Sequence, residues 1–274
     1  MDSALPTFGL PLGISSFSYP WAIGVPGQPQ PACPMNAFDL LNAAIDLGVN
    51  RVQYVDNLPL MALSRSEQER LAEQARSAGI GIELGMRGTD ETTLREHLEL
   101  AQRFGSPFVR VVPGADYQGP RDLVSRLRPC LPVFRDAGVL LALENYERMP
   151  VQVLRSVVEK LGTDVVRVCL DTTNSWGDLE APYYVVKTLA PYTCNLHLKD
   201  FVIARLPSML GFIVHGAPTG QGVLDVYDIL CQMPPGCTVT HEQWTPFQTE
   251  IEETVRLEAK WTAQSIAYLK GFYQ

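Results

Sequence analysis

The chain alternates between short apolar runs and longer stretches in which apolar residues recur every three or four positions. The runs are rich in Val, Ile and Leu, as expected of strands that are buried on both faces. We predict eight such strands, at residues 12–17, 51–55, 81–84, 108–112, 139–143, 166–170, 195–198 and 238–241.

The stretches between these runs have the periodicity and flanking residues of amphipathic helices. Ser66 and Glu69 have the spacing of a capping box at the start of one of them. Glycines follow several of these stretches, where a left-handed residue commonly ends a helix. We predict helices at residues 37–47, 66–78, 92–104, 121–136, 151–161 and 250–269.

Regular alternation of strands and helices predicts a parallel sheet. Eight units in 274 residues fit a closed barrel, and the first strand is not followed by the G-x-G-x-x-G of a dinucleotide-binding sheet. We therefore predict an α/β protein with one (β/α)8 TIM barrel domain over residues 1–274. Residues 201–222, after the seventh strand, are predicted to form a long functional loop.

Composition and charge narrow the range of partners. Hydrophobic residues make up 46% of the chain and charged residues 19%, which permits a large core. A net charge of -8 without a basic run argues against nucleic acid. No apolar run is long enough to span a bilayer, and the N-terminus does not resemble a signal peptide. We expect a cytoplasmic protein without a membrane partner, and the six cysteines are interpreted as reduced thiols.

Four consecutive predicted strands end in, or contain, a residue that can bind a metal ion: Glu144, Asp171, His197 and Glu242. Positions 144 and 171 are 27 residues apart and positions 171 and 197 are 26 apart, which is one strand–helix unit each. The 45 residues from 197 to 242 equal one unit plus the long loop. We expect the four side chains at equivalent heights around half of the barrel mouth, where active sites of such barrels lie.

Three carboxylates this close together would repel one another unless a cation joined them. Three oxygen donors and one imidazole suit a fairly hard divalent ion such as Mn, Mg or Co. Alternatively, each residue is an isolated cap or one partner of a buried ion pair. Arg110 and Glu83, inside predicted strands, are interpreted as paired charges in the barrel wall, with substrate contact as the alternative.

Five motifs resemble the xylose isomerase-like superfamily of sugar isomerases and epimerases. Four lie at these strand ends, LENYE, CLDTTN, LHLKD and HEQW, and the fifth, GAPTGQGVLD, follows the long loop. The resemblance implies that the quartet Glu144, Asp171, His197 and Glu242 binds the metal. It also implies that Glu144 and Glu242 transfer protons as acid and base, on a small sugar or sugar-acid substrate.

One position departs from the sugar 3-epimerases of this superfamily, because Asn174 stands where they carry a histidine. The segments YPWAIGVPG and VDNLP and the loop after the seventh strand resemble the branch that includes 3-oxo-isoapionate decarboxylase. A metal-stabilised enolate serves decarboxylation as well as proton transfer. The first hypothesis is therefore a metal-dependent isomerase or epimerase that forms an enediolate, and the alternative is a metal-dependent decarboxylase of a β-keto sugar acid.

Further residues near the strand ends are candidates for substrate binding. Two cations after the seventh strand could bind a carboxylate, two asparagines could bind hydroxyl groups, and two tryptophans could form the pocket wall. These six are Lys199, Arg205, Asn174, Asn57, Trp21 and Trp176. A metal-dependent endonuclease and a non-catalytic sugar-binding barrel are remote alternatives. The sequence is compatible with a homo-oligomer.

Overall fold

A closed barrel of eight parallel strands forms the centre of the computed structural model, which describes residues 9–115 and 117–272. The barrel strands are β1 (Leu12–Ser15), β2 (Arg51–Tyr54), β3 (Gly81–Arg87), β4 (Phe108–Val112), β5 (Leu140–Glu144), β6 (Val166–Asp171), β7 (Thr193–Leu198) and β10 (Thr238–His241). They pair in that order, and β10 closes the barrel against β1. The predicted (β/α)8 barrel is confirmed.

Helices cover the outside of the barrel. They are α1 (Pro20–Ile23), α2 (Ala37–Asp46), α3 (Arg65–Ser77), α4 (Glu91–Phe104), α5 (Pro120–Leu127), α6 (Leu131–Ala137), α7 (Val151–Leu161), α8 (Pro182–Leu189), α9 (Val226–Gln232) and α10 (Ile251–Lys270). Among the described residues, no helix combines the length and the apolar character needed to cross a bilayer.

Two details of the predicted helices are corrected. The helix expected over residues 121–136 is divided into α5, a 3-10 turn and α6, because Pro129 and Pro132 lack the N–H that a continuous helix requires. The capping box of α3 uses Ser64 and Glu67, two residues earlier than expected. Ser64 has extended backbone angles, and its hydroxyl accepts a hydrogen bond from the Glu67 amide.

The segment predicted as a long loop is largely an antiparallel hairpin. Strand β8 (Asp200–Arg205) pairs with β9 (Phe212–Ala217), from Asp200 opposite Ala217 to Arg205 opposite Phe212. The stretches FVIA and FIV consist mostly of β-branched and aromatic residues, which favour strands. The irregular residues are therefore the hairpin turn at 206–211 and the segment 218–225 after the hairpin.

The four predicted ligands do not share one register. Glu144 pairs with Cys169, whereas Asp171 pairs with His197, and His197 pairs with Thr240. Strands in an eight-stranded barrel tilt by roughly 36° and accumulate a shear of about eight residues. Residues at similar height along the barrel axis are therefore displaced along the hydrogen-bonding register, so the register shift between Glu144 and Asp171 is compatible with the equal heights expected from the sequence.

Candidate metal centre

The four predicted metal ligands meet at the carboxyl end of the barrel, and all four side chains are fully buried. The His197 Nδ1 atom lies 3.3 Å from Glu242 Oε1, 3.5 Å from Glu144 Oε2 and 3.9 Å from Asp171 Oδ2. The structure thus places the imidazole nitrogen among three carboxylates contributed by β5, by β6 and by the residue after β10.

The orientation of the His197 ring is set from below, inside the barrel. Its Nε2 atom lies 2.7 Å from Gln53 Oε1. The amide nitrogen of Gln53 donates to Asn195 Oδ1 at 3.0 Å and to Glu83 Oε2 at 3.3 Å, so the Gln53 oxygen faces the histidine. His197 must therefore donate from Nε2, and Nδ1 presents a lone pair.

That lone pair has no hydrogen-bond donor among the described residues, although Nδ1 is buried. A buried nitrogen lone pair directed at three carboxylate oxygens is unfavourable unless a cation or a proton lies between them. Carboxylate oxygens and a neutral imidazole are also the donors that divalent ions such as Mn2+ and Mg2+ accept. The donor set of Glu144, Asp171, His197 and Glu242 therefore fits a divalent metal ion.

Cys169 is a further potential ligand, since its sulfur groups with Glu144 and His197. The thiol lies 3.2 Å from Asn195 Oδ1 and 3.8 Å from Glu144 Oε2. Burial raises the pKa of Cys169 well above its ordinary value, with the nearby Glu144 charge adding to the effect. Because the thiolate is the form that binds metal, Cys169 is a weaker candidate than Asp171.

Lys199 connects two of the carboxylates. Its ammonium group lies 2.5 Å from Asp171 Oδ2 and 2.8 Å from Glu242 Oε2. Burial alone would lower the pKa of Lys199, but the charges of Asp171, Glu242 and Glu144 raise it above its ordinary value. Lys199 is therefore a cation within the site. The ring of Trp244 lies 5.9 Å from the ammonium nitrogen.

Glu144 is held by one cation and one amide. Arg110 donates from Nε to Glu144 Oε2, and Asn174 donates from Nδ2 to Glu144 Oε1 at 2.7 Å. Arg110 also meets Asp56 at 2.9 Å. The interpretation of Arg110 as a paired charge therefore agrees with the structure, but its partners are Glu144 and Asp56. Glu83 has a separate, longer contact with Arg51, at 3.9 Å.

The remaining oxygens of Glu242 and Asp171 also accept hydrogen bonds. Ser15 donates to Glu242 Oε1 at 2.7 Å, and the amides of Thr173 and Asn174 donate to Asp171 Oδ1 at 2.8 and 2.9 Å. For Glu242, burial raises the pKa, but the charge of His197 in its protonated, metal-free form, followed by the charges of Lys199 and Arg110, lowers the pKa below its ordinary value.

Residues 41–270 match the family described as Xylose isomerase-like TIM barrel. The chain belongs to this family. A relative, 3-oxo-isoapionate decarboxylase of Pectobacterium atrosepticum, is 32% identical over 266 residues, which are 94% of this chain and 94% of the relative.

Solved structures of the family share the fold at lower identity. The D-psicose 3-epimerase of Clostridium cellulolyticum H10 with D-tagatose has a TM-score of 0.69 at 14% identity, covering 97% of this chain and 100% of the epimerase. A xylose isomerase-like TIM barrel protein of Mycobacterium smegmatis in complex with magnesium has a TM-score of 0.64 at 15% identity, covering 97% and 98%.

Two of the six predicted substrate residues contact three of the four candidate ligands: Lys199 meets Asp171 and Glu242, and Asn174 meets Glu144 and Asp171. Asn57 instead exchanges hydrogen bonds with Ser16, donating to its carbonyl at 3.1 Å and accepting from its hydroxyl at 2.5 Å. Both ends of the Asn57 amide are thus engaged where the β1 and β2 ends meet.

The two predicted tryptophans have other neighbours. Trp21 donates from its ring to the Thr245 carbonyl at 2.8 Å and packs against Phe247, with ring centroids 5.2 Å apart. Trp176 meets Phe201 edge-on at 4.7 Å and lines an apolar groove beside α8 and α9. In the described part of the chain, neither tryptophan forms a hydrogen bond with any of the four candidate metal ligands.

The expectation that Arg205 lies beside the metal ligands is corrected. Arg205 stands at the far end of β8, where its guanidinium lies 4.4 Å from the Phe212 ring centroid and donates to the Met209 carbonyl at 3.2 Å. Because Asp200 through Arg205 form an extended strand, the side chain is carried away from the barrel mouth at roughly 3.3 Å per residue.

Asp200 has a structural role that the motif LHLKD did not reveal. Its carboxylate accepts hydrogen bonds from the amides of Gly220, Gly222 and Leu224, at 2.9, 2.9 and 3.2 Å. A side chain at position 222 would begin 2.0 Å from Asp200 Oδ1. The motif GAPTGQGVLD therefore folds around Asp200, and this carboxylate is engaged with backbone rather than with Lys199.

Sequence reasoning missed three residues that orient the ligands: Ser15, Gln53 and Asn145. Asn145 accepts from the Asp171 amide at 2.7 Å and donates to its carbonyl at 2.9 Å. The one signal in the sequence that could have found Ser15 and Gln53 was their polarity within apolar strands. Buried polar side chains usually have hydrogen-bond partners, and both residues are buried.

Proposed function

We propose that the chain is a divalent-metal-dependent decarboxylase of a β-keto sugar acid. The observation that carries the proposal is the buried Lys199 ammonium between Asp171 and Glu242. The relative named 3-oxo-isoapionate decarboxylase, which aligns along 94% of both chains, supports the same substrate class.

The charges in the site favour an anionic substrate. Glu144, Asp171, Glu242 and Asp56 contribute four negative charges, and Lys199, Arg110 and Arg87 contribute three positive ones. A bound divalent ion would give these groups a net charge of +1. A substrate carboxylate would neutralise that charge, whereas a neutral sugar would leave it uncompensated in a buried site.

Lys199 can bind such a carboxylate. An ammonium group has three N–H donors. The hydrogen bond to Asp171 uses one of them, and the ion pair with Glu242 occupies at most a second. The third donor can bind the substrate carboxylate and hold it beside the quartet until CO2 leaves. Asn174 can also contact the substrate, since its side chain lies at Glu144 and its amide at Asp171.

Decarboxylation does not require Glu144 or Glu242 to act as a base. The electron pair of the breaking C–C bond moves toward the keto oxygen, CO2 leaves, and the resulting enediolate carbon takes up a proton from water. A divalent ion held by the quartet would supply the electrophile that stabilises the charge developing on that oxygen. This step requires no base to remove a proton from carbon.

Isomerisation would require such a base, and both candidates are engaged by hydrogen-bond donors and by a cation. Glu144 faces Arg110 and Asn174, while Glu242 faces Ser15 and Lys199. In Glu242 the facing cations lower the pKa and so make it a weaker base, and in Glu144 both oxygens are engaged by Arg110 and Asn174. The two glutamates are therefore proposed as metal ligands first, and acid–base work by them belongs to the isomerase alternative.

The test compares a β-keto sugar acid with the matching neutral ketose, using Mn2+-loaded protein. We expect CO2 release from the acid and little solvent deuterium incorporation into the ketose. Lys199→Met should lower kcat/KM for the acid by roughly 10- to 100-fold, the value of one charge-assisted hydrogen bond, while metal content is retained. The matched control is Lys260→Met, on the exposed side of α10.

Deuterium exchange into the ketose without CO2 release from the acid would reverse the proposal in favour of an isomerase. Equal kcat/KM losses on the acid and the ketose in Lys199→Met would remove the carboxylate-binding role from Lys199.

A further inference from the structure

The β8–β9 hairpin has an unusual composition for an exposed element. Residues 201–217 contain a single formally charged side chain, Arg205. At its distal end Met209, Leu210 and Phe212 are 64%, 86% and 61% exposed. Because Phe212, Ile213 and Val214 are consecutive in one strand and all exposed, both faces of the ribbon present apolar surface.

An isolated two-stranded ribbon is only marginally stable in water. Contiguous exposed apolar surface on a soluble chain usually marks an interaction site. The base of the hairpin is packed, since Phe201 is buried and Gly216 lies against the Trp244 backbone. The distal half has no such cover among the described residues, which points to a partner that covers it.

An apolar groove of about 440 Å3 lies directly beside the base of the hairpin. Side chains of α8, α9 and the segment before α8 form its walls, together with the first residues of β8. Its main apolar lining residues are Trp176, Pro182, Tyr183, Val186, Phe201 and Ile229. The molecule thus carries an apolar projection and an apolar recess side by side.

The charges at the two surfaces are complementary. Asp225 and Asp228 line the groove and have no cationic partner within 4.0 Å among the described ion pairs. Arg205 likewise has no carboxylate within that distance in the described part of the chain, and its guanidinium lies over Phe212. A projection with one arginine therefore matches a recess with two aspartates.

We propose that these surfaces join two copies of this chain, each hairpin tip (residues 205–212) entering the apolar groove of the other. A twofold interface requires a projection and its complementary recess on the same side of one molecule, and this chain has both. In the dimer, Arg205 of one copy faces Asp225 and Asp228 of the other, and Leu210 and Phe212 fill the groove.

The test is the mass in solution, measured by sedimentation equilibrium over a wide range of protein concentrations. We expect twice the 30.3 kDa chain mass for the wild type. Arg205→Glu should weaken the dimer on the order of a hundredfold, because like charges placed opposite one another strongly oppose association. Leu210→Asp should weaken it through the apolar contact. Arg256→Glu, an exposed charge reversal on α10, is the matched control.

A charge swap separates this interface from general disturbance of the hairpin. In Arg205→Glu combined with Asp228→Arg, each copy again offers opposite charges, so the dimer should return. A monomeric wild type would overturn the proposal, and so would a dimer that neither Arg205→Glu nor Leu210→Asp weakens. Because the readout is mass, the outcome is independent of whether the chain releases CO2.

Discussion

The two halves of the barrel make different contributions to the candidate metal centre. Strands β5, β6, β7 and β10 bring the four proposed ligands, all with donor atoms that bind cations. Strands β1, β2 and β4 bring the groups that orient three of them: Ser15 for Glu242, Gln53 for His197, and Arg110 for Glu144. A ligand half therefore faces an orienting half across the barrel mouth.

This division explains why the ligands are easier to predict than their supports. A ligand is defined by its own chemistry and by its place at a strand end, both of which can be read from the sequence. An orienting residue is defined by its partner, which is 227 positions away for Ser15 and 144 positions away for Gln53. The comparison also predicts that substitutions in the ligand half lower metal affinity more than substitutions in the orienting half.

The largest effect is expected in the ligand half. His197→Ala or Asp171→Ala should lower affinity for Mn2+ by several kcal/mol, because ligand bonds carry most of the binding free energy. Calorimetry and metal analysis of the purified protein measure the change. His97→Ala, on helix α4, is the control. A triple substitution of Glu144, Asp171 and His197 that still binds one ion per chain would show that the metal lies elsewhere.

A smaller effect is expected in the orienting half. Gln53→Leu removes the acceptor of the His197 Nε2 hydrogen bond, and loss of such an outer partner typically costs 10- to 100-fold in metal affinity. Gln102→Leu, on the exposed side of α4, is the control. Nitrogen NMR of the histidine ring should show the Nε2–H form in the wild type and a mixture of forms in the variant.

Equal losses in His197→Ala and Gln53→Leu would abolish the distinction between the two halves. Unchanged Mn2+ affinity in Gln53→Leu, with the histidine still in its Nε2–H form, would show that other groups orient the ring.

The sequence was sufficient for the barrel, since Val- and Ile-rich runs at one-unit spacing predicted all eight barrel strands. It failed where tertiary context decides. The FVIA and FIV stretches pair with each other and not with the barrel. They are therefore not part of a repeating strand–helix unit, and the hairpin was predicted as a loop. Arg205 was predicted near the ligands because it follows His197 by eight residues, but the extended strand β8 separates it from them.

The site predictions divide in the same way. Lys199 and Asn174 lie within three residues of a proposed ligand, so the chain itself holds them close. Trp21 and Asn57 follow other strands, and their hydrogen bonds to Thr245 and Ser16 depend on how neighbouring loops fold. Short sequence separation from a ligand was therefore the better guide.

The smallest expected effect concerns Glu83, the buried acid beneath the orienting half. Its Oε2 accepts from Gln53 at 3.3 Å, while Oε1 has no hydrogen-bond donor among the described residues. Burial raises the pKa of Glu83 to about 7, against the opposing effects of Thr238, Arg51 and Gln53. The protonated form is therefore favoured in the folded state relative to the unfolded chain, where a glutamate keeps its ordinary pKa of about 4.5.

A carboxyl whose folded pKa is raised contributes its full stability below the unfolded pKa and loses it as pH rises toward the folded value. The free energy of unfolding of the metal-free protein should thus fall by roughly 1–2 kcal/mol from this group between about pH 5 and pH 7. Glu83→Gln, which is neutral throughout, should remove the contribution of this group to the slope and leave that of Glu258, whose pKa burial raises to about 8. Glu99→Gln, at an exposed position on α4, should keep the full slope. Urea unfolding with a chelator at each pH gives the comparison. If Glu83→Gln and the wild type lose stability in parallel, Glu83 is already charged in the folded barrel, and the contact with Arg51 at 3.9 Å must be stronger than its length indicates.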